Sequence, residues 1–286
     1  MLLRLFGLWT NLVLRALGGR RRRLEVRGAS VAYWTVGKGD GEPWLLLHGL
    51  GSTALSWSPL LLRLRRECRL VVVELSELGG TRAAPGGPGG LAIREGTEVA
   101  EALLDHEFRG RRVTLAGISL GGWIAVRTAL ARPEQVARLV LVDAGGFRDQ
   151  DWARIQELVT LRTLGDVDRF YRALFVRPPL AFRLSRRAFL EAFRSPAVVD
   201  VLGAIVEADA YDEHDLGRIA APTALVWGER DGLFSIEVAR SIERAIPGAR
   251  LYPIAEAGHG VHWEKPRELV AAVLDFRRSF PVPARG

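Results

Sequence analysis

The chain has 286 residues, of which 48% are hydrophobic and 26% charged, and this length suits one large α/β domain with or without a lid. Cys68 is the only cysteine, which excludes an intramolecular disulfide. The net charge of +7 comes from scattered arginines, since lysine occurs only at 38 and 265, and it does not indicate a nucleic-acid partner.

The N-terminal stretch MLLRLFGLWTNLVLRALGG is predicted to form an amphipathic helix. If the helix is continued through the basic cluster, four polar side chains lie within about 20° of one line on a helical wheel: Arg4, Asn11, Arg15 and Arg22. The longest uncharged run, Leu5 to Leu14, is too short to span a bilayer, and the basic cluster Arg20 to Arg23 follows it. We therefore expect residues 1–23 to lie in a membrane interface, which makes the protein peripheral on the cytoplasmic side.

Two other interpretations of residues 1–23 are open. A signal peptide would be cleaved and the domain exported, but Ala16-Leu17-Gly18 is a poor cleavage site. The second of these interpretations is a helix docked on its own domain or on a second subunit. The sequence leaves the oligomeric state open.

Short apolar strands then alternate with helical stretches. LEVRG and VAYWTV predict a hairpin through Gly28, and four longer apolar runs predict buried strands: PWLLLHG, RLVVVEL, RRVTLAG and RLVLVD. Helical spacing follows three of these runs: SWSPLLLRLRRE, Thr97 to His106 and Ser119 to Ala131. PGGPGG (85–90) predicts a flexible loop. This order predicts a mostly parallel central sheet with helices on both faces.

The alternation stops after the sixth predicted strand, at Gly145-Gly146. Residues 147–216 have helical spacing with proline breaks, which predicts an inserted helical lid over the carboxyl edge of the sheet. Strands and helices then resume: TALVWG, Glu237 to Ala245, ARLYPI and Pro266 to Phe280. We expect the α/β core to comprise residues 24–146 and 217–286.

Gly117-Ile118-Ser119-Leu120-Gly121 has the form G-x-S-x-G and lies between a predicted strand and a predicted helix. The turn between them is so sharp that only small residues fit at 117 and 121. It would raise the Ser119 hydroxyl above the sheet at a helix N-terminus, where negative charge is stabilised. A serine N-cap in a glycine-rich turn is the simpler alternative. The placement favours a nucleophile.

A serine nucleophile needs a base. His259 lies between two glycines in AGHGVHWEKP, on a loop after the last predicted strand, and it is the preferred base; His262 is the alternative. We expect His48 to brace its own loop. His106 is expected at the surface, and His214 at the surface or in a structural role.

The imidazole needs a carboxylate partner. Asp231, in the turn after TALVWG, gives the chain order serine, aspartate, histidine that accompanies G-x-S-x-G. Asp143, at the end of RLVLVD, is the alternative acid.

Two backbone N–H groups are expected to hold a developing oxyanion, those of Leu120 and Leu50. Aromatic residues in the predicted lid suggest an apolar pocket. The pocket candidates are Gly49, Phe147, Phe170, Phe175 and Leu233.

With these motifs in place, the sequence resembles the α/β-hydrolase family from about residue 24 to 282. Four segments match the family's landmarks in order and spacing: HGLGSTALSW, GISLGGWIA, WGERD and GHGVHWEKP. ELSELGGTR (74–82) and DRFYRALFVRPP (168–179) are most similar to bacterial serine esterases and membrane-anchored monoacylglycerol lipases. Glu74 stands where those proteins have aspartate, and Ser76-Glu77-Leu78 replaces Pro-Gly-His.

The resemblance implies a serine hydrolase that cleaves esters with apolar acyl chains. Serine at 119 argues against dehalogenases and most epoxide hydrolases of this fold, which need aspartate there. A carbon–carbon hydrolase of diketones, of the meta-cleavage type, would use the same triad. A membrane-associated lipid-binding protein without catalysis is the non-enzymatic alternative. We expect no metal or cofactor, because no Cys/His ligand cluster or phosphate-binding glycine motif occurs.

Overall fold

An eight-stranded sheet forms the centre of the structure, a computed structural model that describes residues 2–82, 84, 91–205 and 209–282. The predicted loop 85–90 lies outside the described residues. The strands, in chain order, are β1 (Arg20–Val26), β2 (Ala29–Gly37), β3 (Glu42–Leu47), β4 (Cys68–Val73), β5 (Val113–Ile118), β6 (Val136–Val142), β7 (Thr223–Gly228) and β8 (Arg250–Ile254).

The sheet is mostly parallel, as predicted, with the order β1-β2-β4-β3-β5-β6-β7-β8. Only β1 with β2 and β2 with β4 pair antiparallel; the other neighbours are parallel. The carboxyl ends of β3 to β8 therefore meet at one edge. In an open α/β sheet this is the edge where ligands bind.

Helices cover both faces. They are α1 (Leu2–Ala16), α2 (Ser58–Leu64), α3 (Ile93–Leu103), α4 (Leu120–Ala131), α5 (Trp152–Val159), α6 (Leu164–Leu174), α7 (Leu180–Leu184), α8 (Arg186–Phe193), α9 (Pro196–Ala204), α10 (Glu213–Gly217), α11 (Ile236–Ala245), α12 (Val261–Glu264) and α13 (Pro266–Ser279).

Two apolar cores separate the sheet from these helices, and the strand period of two divides the side chains between them. On β3, Leu45 and Leu47 pack with α3, α4 and α11, whereas Trp44 and Leu46 pack with α2 and α13. The continuous apolar runs in the sequence follow from this burial on both faces. Helix α3 begins at Ile93, four residues before the predicted start at Thr97.

The inserted helices lie between β6 and β7 in the chain. Helices α5 to α9 surround a cavity at the carboxyl edge of the sheet. Helix α10 differs from α5 to α9, because its Leu216 belongs to the core beside α11. It extends to Gly217, one residue beyond the predicted lid boundary at 216. The last part of the predicted lid thus packs with the core.

Helix α1 docks on its own domain, which was one of the open interpretations. Leu14 is completely buried, and Thr10 Oγ1 lies 3.2 Å from Thr53 Oγ1 in a buried contact. The opposite face leaves Leu8, Trp9 and Leu12 57–64% exposed. No helix in the described ranges combines the length and apolar character needed to cross a bilayer.

The predicted boundary between residues 23 and 24 is wrong, since Arg20–Arg23 belong to β1 and pair with β2. The helix ends earlier because Gly18 turns the chain with a φ of +84°. Arg22 therefore does not extend the polar stripe of α1. Arg21 donates to the carbonyl of Gly79, so the basic cluster contributes to folding.

Leu14→Ala should lower the free energy of unfolding by about 2–5 kcal/mol, because it leaves a cavity under α1. Leu8→Ala, on the exposed face of the same helix, is the matched control and should change it by less than about 0.5 kcal/mol. Urea unfolding measures both. Equal effects of the two substitutions would contradict the docked position of α1.

Candidate functional site

Ser119 occupies a sharp bend between β5 and α4, with φ +51° and ψ −116°. A side chain at Gly117 would overlap the carbonyl of Gly121, and one at Gly121 would overlap the carbonyl of Leu47. Both glycines are thus required by close backbone contacts. A non-glycine residue at this φ costs on the order of 1–3 kcal/mol, which the flanking strand and helix must offset.

His259 and Asp231 lie beside Ser119 although they are far apart in the chain. His259 follows β8 and its Nε2 lies 3.0 Å from Ser119 Oγ; its Nδ1 lies 2.9 Å from Asp231 Oδ2. Asp231 follows β7, and its other oxygen accepts the N–H groups of Leu233 and Phe234, each at 2.8 Å. The structure therefore brings together the three side chains that the sequence singled out.

The hydrogen-bond partners define the tautomer of His259. An ionised carboxylate only accepts, so Nδ1 carries the proton that it donates to Asp231. The lone pair on Nε2 then faces the Ser119 hydroxyl and accepts its proton. The edge of the Phe234 ring meets the imidazole at 84°, with 5.0 Å between ring centres, which restrains the ring orientation. This arrangement can move a proton from serine to histidine.

Asp143, the alternative acid, makes other contacts. Its carboxyl is fully buried and accepts the N–H groups of Gly228 at 2.9 Å and Val261 at 3.4 Å. Burial, with the neighbouring Asp231 charge, raises the pKa of Asp143 well above its usual value. Asp143 thus ties the end of β7 to the loop that carries His259.

The Gly49–Leu50 peptide lies close to the serine, since a Cβ on Gly49 would be 3.2 Å from Ser119 Cβ. His48 Nδ1 donates to the Gly49 carbonyl at 2.8 Å, while its Nε2 accepts the N–H of Leu75 at 2.9 Å. Because the carbonyl and N–H of one trans peptide point in opposite directions, His48 also orients the Leu50 N–H. His48 braces its loop, as predicted. Leu120 begins α4, so its N–H has no acceptor within the helix.

Two glutamates support these loops, and their positions were not predicted from the sequence. Glu74 accepts Trp34 Nε1 and the N–H of Ala54, each at 3.1 Å, which joins β2 and β4 to the loop after β3. Glu264 accepts the N–H of Gly258, beside His259, at 2.8 Å. Glu74 could be noticed only as a departure from the family pattern, and nothing in the local sequence indicates the partner of Glu264.

A cavity of about 1640 Å³ opens above Ser119 and His259. Among the described lining residues, Arg194 is the only lysine or arginine and no acid occurs. Most of the wall is apolar: Leu8, Trp9, Leu12, Trp123, Trp152, Leu161, Phe170, Leu174, Phe175, Phe182, Phe189, Phe193, Val199, Leu202, Leu233, Phe234 and Trp263.

Four of the five pocket candidates line this cavity: Gly49, Phe170, Phe175 and Leu233. The prediction for Phe147 is wrong. Phe147 is buried in the core, where it pairs with Tyr211 in an isolated bridge. The chain has turned away from the cavity at Gly146, whose φ is +96°.

One group of side chains among the described residues, partly exposed, has the geometry to hold a cation. Asp212, His214 and Asp215 offer ligand atoms within 4.8 Å of one another. Asp212 and Asp215 already cap α10, with Asp212 Oδ1 accepting the N–H of Asp215 at 3.0 Å. These residues do not line the cavity, and the helix cap accounts for their arrangement.

His262 is buried beside His259, and its Nδ1 has no hydrogen-bond partner among the described residues. Burial, aided by the nearby His259, lowers the pKa of His262 to about 3. The ring is therefore neutral at physiological pH. The buried position fits a packing role better than that of a base.

His262→Asn should reduce the loss of stability in acid. Between the ordinary pKa of 6.5 and about 3, the unfolded chain protonates His262 while the folded protein does not, so stability falls as pH falls. This residue accounts for up to about 1.4 kcal/mol per pH unit in that window. Urea unfolding at pH 7.5 and 5 measures the difference. The exposed His214→Asn is the control, and an identical acid loss in His262→Asn and wild type would contradict the assignment.

Comparison with known proteins identifies relatives of this chain. A 29% identical relative over 252 residues is the pimeloyl-[acyl-carrier protein] methyl ester esterase of Photobacterium profundum; the match covers 84% of this chain and 96% of that protein.

Two solved structures share the fold. A membrane phospholipase A, described as a bacterial virulence factor, superposes with a TM-score of 0.83 at 24% identity, covering 96% of this chain and 91% of the other. A meta-cleavage product hydrolase of Pseudomonas fluorescens IP01 superposes with a TM-score of 0.77 at 19% identity, covering 90% and 97%. At these sequence identities the superpositions show a shared fold and nothing more.

The family model for the alpha/beta hydrolase family matches residues 44–273, which includes Ser119, Asp231 and His259. This match covers most of the chain and ends within α13. The chain belongs to the alpha/beta hydrolase family.

Proposed function

We propose that this protein is a serine hydrolase that cleaves carboxylic esters with apolar acyl chains. The observation that carries the proposal is the hydrogen-bonded series Ser119 Oγ, His259 and Asp231, with contacts of 3.0 and 2.9 Å at the floor of an apolar cavity. An esterase among the relatives supports the reaction class.

The mechanism is acyl transfer through a covalent intermediate. His259 Nε2 removes the Ser119 proton as Oγ attacks the ester carbonyl, and Asp231 stabilises the imidazolium. The N–H groups of Leu120 and Leu50 hold the oxyanion, each donor contributing about 2.7–4 kcal/mol to transition-state stabilisation. The imidazolium then protonates the departing alcohol as the C–O bond breaks. Water, deprotonated by the same ring, releases the acid and regenerates the serine.

The cavity supports an apolar acyl substrate. Its volume, about 1640 Å³, exceeds the roughly 300–1,000 Å³ of most small-molecule pockets. Long acyl chains gain about 0.8 kcal/mol for each CH₂ group removed from water. Since no acid and only Arg194 occur in the described lining, the buried part of the substrate is proposed to be uncharged. A monoacylglycerol or a similar neutral acyl ester fits this chemistry.

Ser119→Ala should abolish labelling by a fluorophosphonate probe and hydrolysis of p-nitrophenyl esters. Asp231→Asn should keep the fold and lower kcat by about 10⁴-fold, because the imidazole loses its tautomer control. An ester series from acetate to decanoate, beside a diketone substrate, measures the activity.

Two outcomes would contradict the proposal. Cleavage of the diketone but not the esters would favour the carbon–carbon hydrolase. No labelling of a folded wild-type protein would favour the lipid-binding protein without catalysis.

We also propose that the cavity mouth faces a membrane surface. Leu8, Trp9 and Leu12 of α1 are exposed at this mouth, and Val199 of α9 joins them. Leu180 and Leu184 are exposed on α7, whose inner side forms part of the cavity wall. Exposed arginines at 183, 187 and 194 accompany these helices, and each can add about 1 kcal/mol near anionic lipid. An acyl substrate could then enter directly from lipid.

Trp9→Ser with Leu12→Ser should weaken binding to phosphatidylglycerol-containing vesicles by about tenfold or more, because two insertable side chains are lost. Leu62→Ser, equally exposed but on α2 and away from the cavity, is the matched control. Co-sedimentation measures the binding. Point variants are preferable to removal of residues 1–23, which would delete four of the seven residues of β1. Unchanged vesicle binding of the double variant would contradict the membrane-facing mouth.

A further inference from the structure

We propose that the C-terminal end of α6 positions both Asp231 and His259, so that this part of the insertion belongs to the catalytic framework. This inference rests on the proposed function. It concerns Ala173, Leu174 and Phe175, where α6 ends and the chain becomes extended.

Two carbonyl groups at the end of α6 accept from the two loops that carry the acid and the base. The N–H of Gly232, next to Asp231, donates to Ala173 O at 3.0 Å. The N–H of Gly260, next to His259, donates to Leu174 O at 2.9 Å. The last carbonyls of a helix have no partner within the helix, so they are free to accept. One helix end thus holds both loops at a fixed separation.

Glycine in both loops permits this close approach. A Cβ at Gly232 would be 2.8 Å from Ala173 Cα, and one at Gly258 would be 2.5 Å from Leu174 O. A Cβ at Gly260 would overlap the ring of Phe175. Gly260 has a φ of −93°, which any residue adopts, so the required glycine reflects contact with Phe175 and not backbone conformation.

A third connection crosses the same junction. The Glu264 carboxylate accepts the N–H of Arg177, just beyond α6, and the N–H of Gly258, each at 2.8 Å. Glu264 therefore ties the insertion to the residue before His259. Phe182 extends the contact, with its ring centre 4.9 Å from that of Phe175 and 5.8 Å from that of Trp263.

These ties join the end of α6 to both loops. The end of α6 is bonded to the framework, so its movement would carry the Asp231 and His259 loops with it. We assign alignment of the acid and base to this end of α6.

The test is a double-mutant cycle that combines Gly260→Ala with Phe175→Ala. Gly260→Ala should push the end of α6 away and slow fluorophosphonate labelling of Ser119 by about 100-fold, the scale expected for a displacement of about 1 Å. In a Phe175→Ala background the added methyl has room, and the same substitution should cost less than about threefold. Gly39→Ala, where no atom lies within 4 Å of the added carbon, is the control and should label at the wild-type rate.

If the end of α6 had only a structural role, Gly260→Ala would not change how the labelling rate of Ser119 depends on pH. Loss of alignment between His259 and Asp231 weakens the stabilisation of the imidazolium, so the acid limb of the labelling profile should shift to lower pH in Gly260→Ala. If Gly260→Ala fails to fold, Glu264→Gln is the second variant, with the same readout. It removes a single hydrogen-bond acceptor and should slow fluorophosphonate labelling of Ser119 by about tenfold. Equal costs of Gly260→Ala in both backgrounds, or a slower rate without a shifted acid limb, would overturn the proposal.

Failure of the proposed function can be recognised separately. The downfield NMR resonance of the His259 Nδ1 proton reports its bond to Asp231 whether or not the protein hydrolyses esters. If wild type shows the resonance but is not labelled, the hydrolase proposal fails and the resonance still tests the role of α6. We expect Gly260→Ala to weaken the resonance and Phe175→Ala to restore it in the double variant; an unchanged resonance in Gly260→Ala would overturn that role.

Discussion

The bend at Ser119 fixes the position of one oxygen atom by backbone geometry, and the other groups are arranged around it. The residue has a positive φ between β5 and α4. Gly117 lets β5 approach α4, and Gly121 lets α4 approach the end of β3. The partners of the hydroxyl come from the ends of other parallel strands. The Gly49–Leu50 peptide follows β3, Asp231 follows β7 and His259 follows β8. A parallel sheet is what makes residues so distant in sequence neighbours in space.

Loops position side chains imprecisely unless other groups restrain them. In this protein several buried groups restrain the loops of the site. His48 and Glu74 fix the loop after β3, while Asp143 connects the end of β7 with Val261. In our proposals the end of α6 adds the connection between the Asp231 and His259 loops. The cavity above them is mostly apolar and is lined in part by α1, which is consistent with a substrate that is itself poorly soluble in water.

The sequence predicted those features that local pattern determines. Buried parallel strands appear as continuous apolar runs, and Gly117 and Gly121 around Ser119 specify the strand–helix turn; both agree with the structure. Features set by contacts between distant segments were predicted less well. The polar stripe of residues 1–23 did not reveal that Leu14 is buried against the domain or that Arg20–Arg23 belong to β1. Phe147 was predicted to line the pocket, but the chain turns at Gly146 and Phe147 lies in the core.

The proposed mechanism requires a covalent intermediate at Ser119. Rapid-quench mass spectrometry during hydrolysis of a slowly deacylated p-nitrophenyl ester tests it. We predict a burst of one equivalent of p-nitrophenol and an acyl adduct on the peptide that contains Ser119. Steady turnover without any burst or adduct, or an adduct on another residue, would contradict the account.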